Sequence, residues 1–263
     1  TEMYGESLDP EQGSVSMITR FLMLSALVLL LGCWLLVTAE PEGGKEAADM
    51  SKLIEPKGAV LFEEKFANLE NWHHEGGGSM KLDEKEPGTL RLECVGSAQG
   101  KAGAQAFCLT DFPEGVAIEY DLKVLTKNGL VITFVAVKGT RGEDLFAPEL
   151  PKRTGIFDDY VRSERLASYH VSVSRYDDKG EHTGVSNWRR NPGLNLMKEG
   201  PDLCKEINRW YHIRIVKDGG HLQLGVDGRL AHEFTDPNDL KGPLPVGGKV
   251  GFRAIGAEVR MLM

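Results

Sequence analysis

The chain has 263 residues, 41% of them hydrophobic and 27% charged, with 31 basic against 39 acidic side chains and a formal net charge of -8. That balance belongs to a folded globular chain of one large or two ordinary domains. It excludes a general polyanion binder, so nucleic acid is not an expected partner.

Thr1 to Ser16 is polar and unpatterned. Met17-Ile18-Thr19-Arg20 then precedes an unbroken apolar run from Phe21 to Val37, with small residues at Val37-Thr38-Ala39. A cationic start, an apolar core and a small-residue exit are the layout of a secretory signal, with the true start at Met17. Leu30-Leu31-Gly32-Cys33 also has the form of a lipobox, which would leave a lipoprotein anchored through Cys33, although the apolar run continues past it. Retained whole, the run is at the short end of a spanning length. In each case the folded part lies outside the cytoplasm, secreted or periplasmic, and membrane contact is confined to this segment. Without residues 1–39 the chain keeps 30 bases and 35 acids, a net charge of -5.

Glu40 to Lys57 is rich in Glu, Lys, Gly and Pro and reads as a flexible linker, so the domain is expected over 58–263. From there come short β-type runs separated by Gly, Pro, Asp and Asn: 59–66, 89–95, 105–109, 116–125, 130–137, 168–175, 209–216, 222–226, 230–234 and 249–253. No amphipathic helix intervenes, which predicts an all-β antiparallel sandwich. Val116 to Val124 alternates cleanly, giving a strand with one wet face; Leu130 to Val137 is apolar throughout, giving one covered on both sides. Asp227-Gly228 and Gly219-Gly220 mark tight hairpins.

Cys94, Cys108 and Cys204 are odd in number and lack metal-ligand spacing; they read as unpaired thiols, with a Cys94–Cys108 bridge as the alternative. No cofactor is expected and no metal site is assigned. A structural calcium would have only Asp177-Asp178 and Asp236-Pro237-Asn238-Asp239, which read as ordinary turns.

Glu119 and Asp121 share a strand face, as in β-sandwich glucanases, but the third acid is missing, with Lys123-Val124 in its place. They read as a solvated face. His73-His74-Glu75 precedes three glycines and reads as a surface loop. In Ser168 to Arg175 the period of two sends Tyr169, Val171 and Val173 one way, and Ser168, His170, Ser172 and Ser174 the other. One face can pack; the other can bind. Asn187, Arg189, Arg190 and Asn191 then supply two guanidinium groups and two amides within five residues, a donor set for the hydroxyls and carboxylates of a polar ligand.

Several segments occur together in order: Trp72-x-x-Glu75-Gly76, Gly139-x-x-Gly142-x-Asp144-Leu145-Phe146, Arg153-x-Gly155, Tyr169-His170-x-Ser172, Ser186-Asn187-x-Arg189-Arg190-Asn191-Pro192-Gly193, Gly200-Pro201-Asp202 and Gly248-Lys249-x-Gly251-Phe252-Arg253. With these the chain resembles the YesU-like family of unassigned function over Ala59 to Arg253, most specifically from Tyr169 to Gly193. The resemblance implies a concanavalin A-like lectin/glucanase jelly roll, carbohydrate as the ligand class, and a part in the breakdown of plant or algal polysaccharide. Two departures stand out. Arg189-Arg190 replaces the family's Arg-Lys, and Ala257 to Met263 lacks the usual aromatic ending, which puts the last edge strand in question.

The expectation is therefore a carbohydrate-active protein. His170, Glu75 and Asp144 are the catalytic candidates if it is a hydrolase. Ser172, Asn187, Arg189, Arg190, Asn191, Arg153 and Tyr160 are the binding candidates, with Trp72 or Trp188 as a flat apolar platform. The rival readings are a polysaccharide lyase, with an arginine neutralising a uronate and His170 or a tyrosine as base, and a binding module without catalysis.

Overall fold

The computed structural model describes residues 53–94, 103–254 and 256–260. The apolar run 21–37 and its cleavage and anchoring readings lie outside them. In chain order the strands are β1 (Trp72–Gly76), β2 (Ser79–Leu82), β3 (Leu90–Glu93), β4 (Ala104–Cys108), β5 (Val116–Val124), β6 (Val131–Gly139) and β7 (Leu166–Val173). Then follow β8 (Val185–Asn191), β9 (Asn195–Pro201), β10 (Trp210–Asp218), β11 (His221–Val226), β12 (Arg229–Thr235), β13 (Lys249–Ala254) and β14 (Gly256–Arg260). The one helix among the described residues is α1 (Asp158–Val161).

These strands form two seven-stranded sheets. Sheet A runs β1-β4-β13-β6-β7-β8-β9 and sheet B runs β12-β11-β10-β5-β14-β3-β2, with antiparallel pairing throughout. The expected all-β sandwich is what the chain builds. β14 lies between β3 and β5, so the strand placed in question by its sequence is internal to sheet B rather than at its edge.

Each strand packs where alternation says it should. Ile118, Tyr120 and Leu122 of β5 are buried between the sheets, while Glu119 and Asp121 face out and pair across to Arg214 and His212 of β10. β6 is buried on both sides. Its inner face joins a core in which Trp72 lies 5.8 Å from Phe252, itself 4.9 Å from Tyr120. Its outer face is covered by a lobe, residues 140–165 with α1. There Leu145, Leu150, Tyr160 and Val161 pack on Phe107, Ile132, Phe134 and Val137. The hairpin at Asp227-Gly228 has positive φ at both central residues, 50° and 73°, as a type I′ turn requires.

Three local expectations are corrected. His73-His74-Glu75 is strand rather than loop, paired to Phe107, Ala106 and Gln105; the glycines end β1 instead of dissolving it. Residues 59–66 form no strand. Val60 and Leu61 are exposed while Glu64 turns inward, taking the Trp72 indole N–H at 3.1 Å and the Phe66 amide at 2.7 Å. Residues 187–191, read as a donor cluster with no strand assigned to them, lie in β8 of the hairpin β8–β9. Within the linker stretch, Leu53 to Glu55 lie against sheet B, with the Ile54 amide on Gln223 at 2.9 Å and Glu55 on Arg214 at 2.7 Å. Cys108 and Cys204 are free thiols, so Cys94 and Cys108 are not bridged; burial pushes the pKa of both free thiols up, which keeps them protonated.

Candidate functional site on the outer face of sheet A

Residues directly opposite in paired strands point to the same face, so the registers of sheet A print its outer surface in rows. One row reads Glu75, Gln105, Arg253, Ile132, Ser172, Asn187 and Glu199. The next reads His73, Phe107, Gly251, Phe134, His170, Arg189 and Leu196, and beyond it Ser168 faces Asn191. Polar side chains thus gather over β7 and β8, and Phe157 of the lobe lies against the His170 among them.

His170 is the centre of this group. It is 2% exposed, held between the rings of Phe134 at 5.4 Å and Phe157 at 5.8 Å. Asn191 Nδ2 lies 2.9 Å from both Ser168 Oγ and His170 Nδ1. An amide nitrogen only donates, so Nδ1 accepts and the ring hydrogen sits on Nε2. Burial, then the charges of Arg189 and Arg253, push the His170 pKa down to about 3, which leaves the imidazole neutral. Asn191 Oδ1 and Gln105 Oε1 are buried with no partner.

The basic cluster divides. Asn187, Arg189 and Asn191 share the face of His170, whereas Trp188 and Arg190 point to the opposite side. The four-residue donor set expected from 187–191 is therefore not one surface. Arg190 is 3% exposed; it pairs with Asp236 at 3.1 Å and donates to the carbonyls of Gly242 at 2.6 Å and Pro243 at 2.9 Å. Tyr169 donates to the same Asp236 at 2.7 Å. Arg190 thus fastens the loop after β12. Trp188 is fully buried 5.9 Å from Phe234, and Trp72 is in the core, so neither offers a platform to a sugar. Phe157, half-buried beside His170, is the aromatic group at this place.

The acids are elsewhere. Glu75 accepts from Arg153 Nε at 2.8 Å and Tyr160 OH at 2.6 Å, while Arg153 Nη1 donates to Leu145 O at 3.0 Å. This knot ties the lobe to β1, beside a close approach of Gly155 (φ +88°) to Gly76 (φ +90°) where an added Cβ would meet Gly76 Cα at 2.0 Å. Arg153, Tyr160 and Glu75 thus meet one another but not His170. Asp144 pairs with Lys249 at 2.9 Å. Partial burial opposes its charge, yet Lys249 and the Phe146 amide outweigh that and hold its pKa below the usual value.

Sequence reasoning missed Arg175. Ser174 has φ +51°, which breaks the period of two. Arg175 Nη1 donates to Val185 O at 3.2 Å and to the Asn187 side-chain oxygen at 2.9 Å, with the Asn187 amide group turned to donate to Ser186 O at 3.0 Å. No local pattern carries that reversal. Arg253 was visible in the alternation of β13, and its guanidinium lies 5.1 Å from the Phe157 ring.

Two antiparallel sheets, one with a polar outer face partly roofed by a lobe, define a galectin-like jelly roll. The chain belongs to the family described as "Domain of unknown function (DUF1961)", whose profile matches residues 60–260. It is 31% identical over 191 residues to the Bacillus subtilis (strain 168) protein "Uncharacterized protein YesU", covering 71% of this chain and 84% of that one. A Bacillus subtilis crystal structure, described as a protein of unknown function with galectin-like fold, superposes with a TM-score of 0.69 at 29% identity over 78% of this chain and 94% of that one. The Bacillus subtilis carbohydrate binding module CBM66 aligns with a TM-score of 0.46 at 12% identity, over 72% of this chain and 91% of that one.

Proposed function

We propose that the outer face of sheet A over β7 and β8 binds a saccharide. One observation carries this reading: Asn191 Nδ2 is shared between Ser168 and the neutral His170, which leaves His170 Nε2–H and Asn191 Oδ1 without partners among the described residues. A sugar hydroxyl needs one acceptor and one donor, and these two atoms supply them. Phe157 adds an apolar ring beside them for the C–H face of the sugar. The galectin-like fold agrees by analogy alone.

Binding without turnover is favoured by where the acids lie. Glu75 is on β1, four strand spacings from β7, or about 19 Å. Its carboxylate is already taken by Arg153 and Tyr160, so it is not at hand for a sugar held at His170. A general acid wants a raised pKa, whereas that of Asp144 is lowered. For elimination, a histidine pushed down to about 3 is a poor base at neutral pH, and the Tyr160 phenol is pushed up by burial and by Glu75.

The reading is tested by calorimetry against a panel of plant and algal oligosaccharides, with reducing ends and the ultraviolet absorbance of unsaturated uronates followed in parallel. His170→Asn keeps an acceptor towards Asn191 and removes Nε2–H together with the outer edge of the ring between Phe134 and Phe157. It is expected to weaken binding about tenfold, the worth of one hydrogen bond. Unchanged affinity in both His170→Asn and Asn191→Ala sinks the site, and new reducing ends overturn binding without turnover.

A further inference from the structure

Resting on that reading, we infer that the saccharide is an acidic one, its carboxylate taken by Arg189 with Arg175 behind it. Arg189 stands next to His170 on the same face, half-buried, and only one of its bonds is used internally, from Nη1 to Leu194 O at 2.7 Å. Among the described residues it has no carboxylate within ion-pairing distance, although the protein carries more acids than bases. Its planar fork therefore keeps N–H groups for a bidentate acceptor.

Its surroundings add to this. Burial and the neighbouring charge of Arg175 both lower the Arg189 pKa, and Glu199 opposes them from β9 without forming a pair. Arg175 is bonded to Asn187, which shares the strand face of Arg189 two positions on, so a second guanidinium borders the site and an arriving anion answers both charges. Arg175 is fixed there by Val185 O and the Asn187 side chain, so it does not turn away. A hydroxyl at His170 and Asn191 with a carboxylate at the neighbouring Arg189 matches a uronate, which carries both groups on one ring. Sulfate esters share the anionic chemistry and can also meet the fork with two oxygens, so the experiment separates the two.

The test compares oligomers of galacturonate, glucuronate and mannuronate with their methyl esters and with sulfated neutral oligomers, by calorimetry on the whole chain at two salt concentrations. At least one free acid is expected to bind tenfold or more tightly than its ester, and to weaken as salt rises. Arg189→Gln is expected to bring the acid down to the level of the ester, with Arg189→Lys in between. Acid and ester bound alike, or the sulfated oligomer preferred to every acid, overturns the carboxylate assignment while saccharide binding stands. Failure of every oligomer, neutral ones included, removes both. If Arg189→Gln proves unfolded in urea titration, the acid-to-ester ratio of the unaltered protein decides by itself.

Discussion

Replacing His170 by asparagine also tests whether its imidazole is held neutral by the fold. The pKa falls from 6.5, its ordinary value, to about 3 in the folded protein. As pH drops from about 7.5 to about 5, the unfolded chain takes up this proton and the folded one does not. Stability is then full above the unfolded pKa and is lost progressively down to the folded one, with about 2 kcal/mol gone by about pH 5. Residue 170 is 2% exposed, so solvent screening takes little from that figure. The carboxylates held low by their partners, Glu93, Glu143 and Asp144, start from 4.5, 4.5 and 3.8, stay largely charged in this window and are common to both proteins. His232, pushed down to about 4 mainly by burial, adds an acid loss of its own that the variant retains. Urea unfolding followed by tryptophan fluorescence at stepped pH, with constant m-values as the control, measures the difference. His170→Asn should lose about 2 kcal/mol less than the unaltered protein between those limits. Equal losses would falsify the burial argument for this residue.

Two further outcomes separate scaffold from site. Arg190→Ala leaves Asp236 buried without its cation and should cost about 3 to 5 kcal/mol in urea unfolding; a loss no larger than a surface pair gives would show that the loop after β12 does not depend on it. Trp72→Phe removes the indole bond to Glu64 and should cost about 1 to 3 kcal/mol with saccharide affinity intact, whereas Phe157→Ala should weaken affinity. The reverse pattern would return the aromatic role to the tryptophan.

Much of this protein is legible in its sequence because alternation is a local property. Val116 to Val124, Leu130 to Val137 and Ser168 to Val173 each declare which face is wet, and Asp227-Gly228 declares its hairpin. The sandwich and the polar face of β7 follow from such patterns alone. The pattern of β8 is hidden because both of its faces carry a cation. Arg190 is tolerated inside only because Asp236, 46 residues further on, neutralises it there. In the same way Glu75 and Arg153, 78 residues apart, cancel one another at the lobe, while Arg189, next to a tryptophan that looks like a sugar platform, keeps N–H groups unspent beside His170. Sequence by itself determines which residues share a strand face. Only the tertiary structure decides which charges are already spent, because the partner of a buried charge arrives from a distant part of the chain and no local period records it.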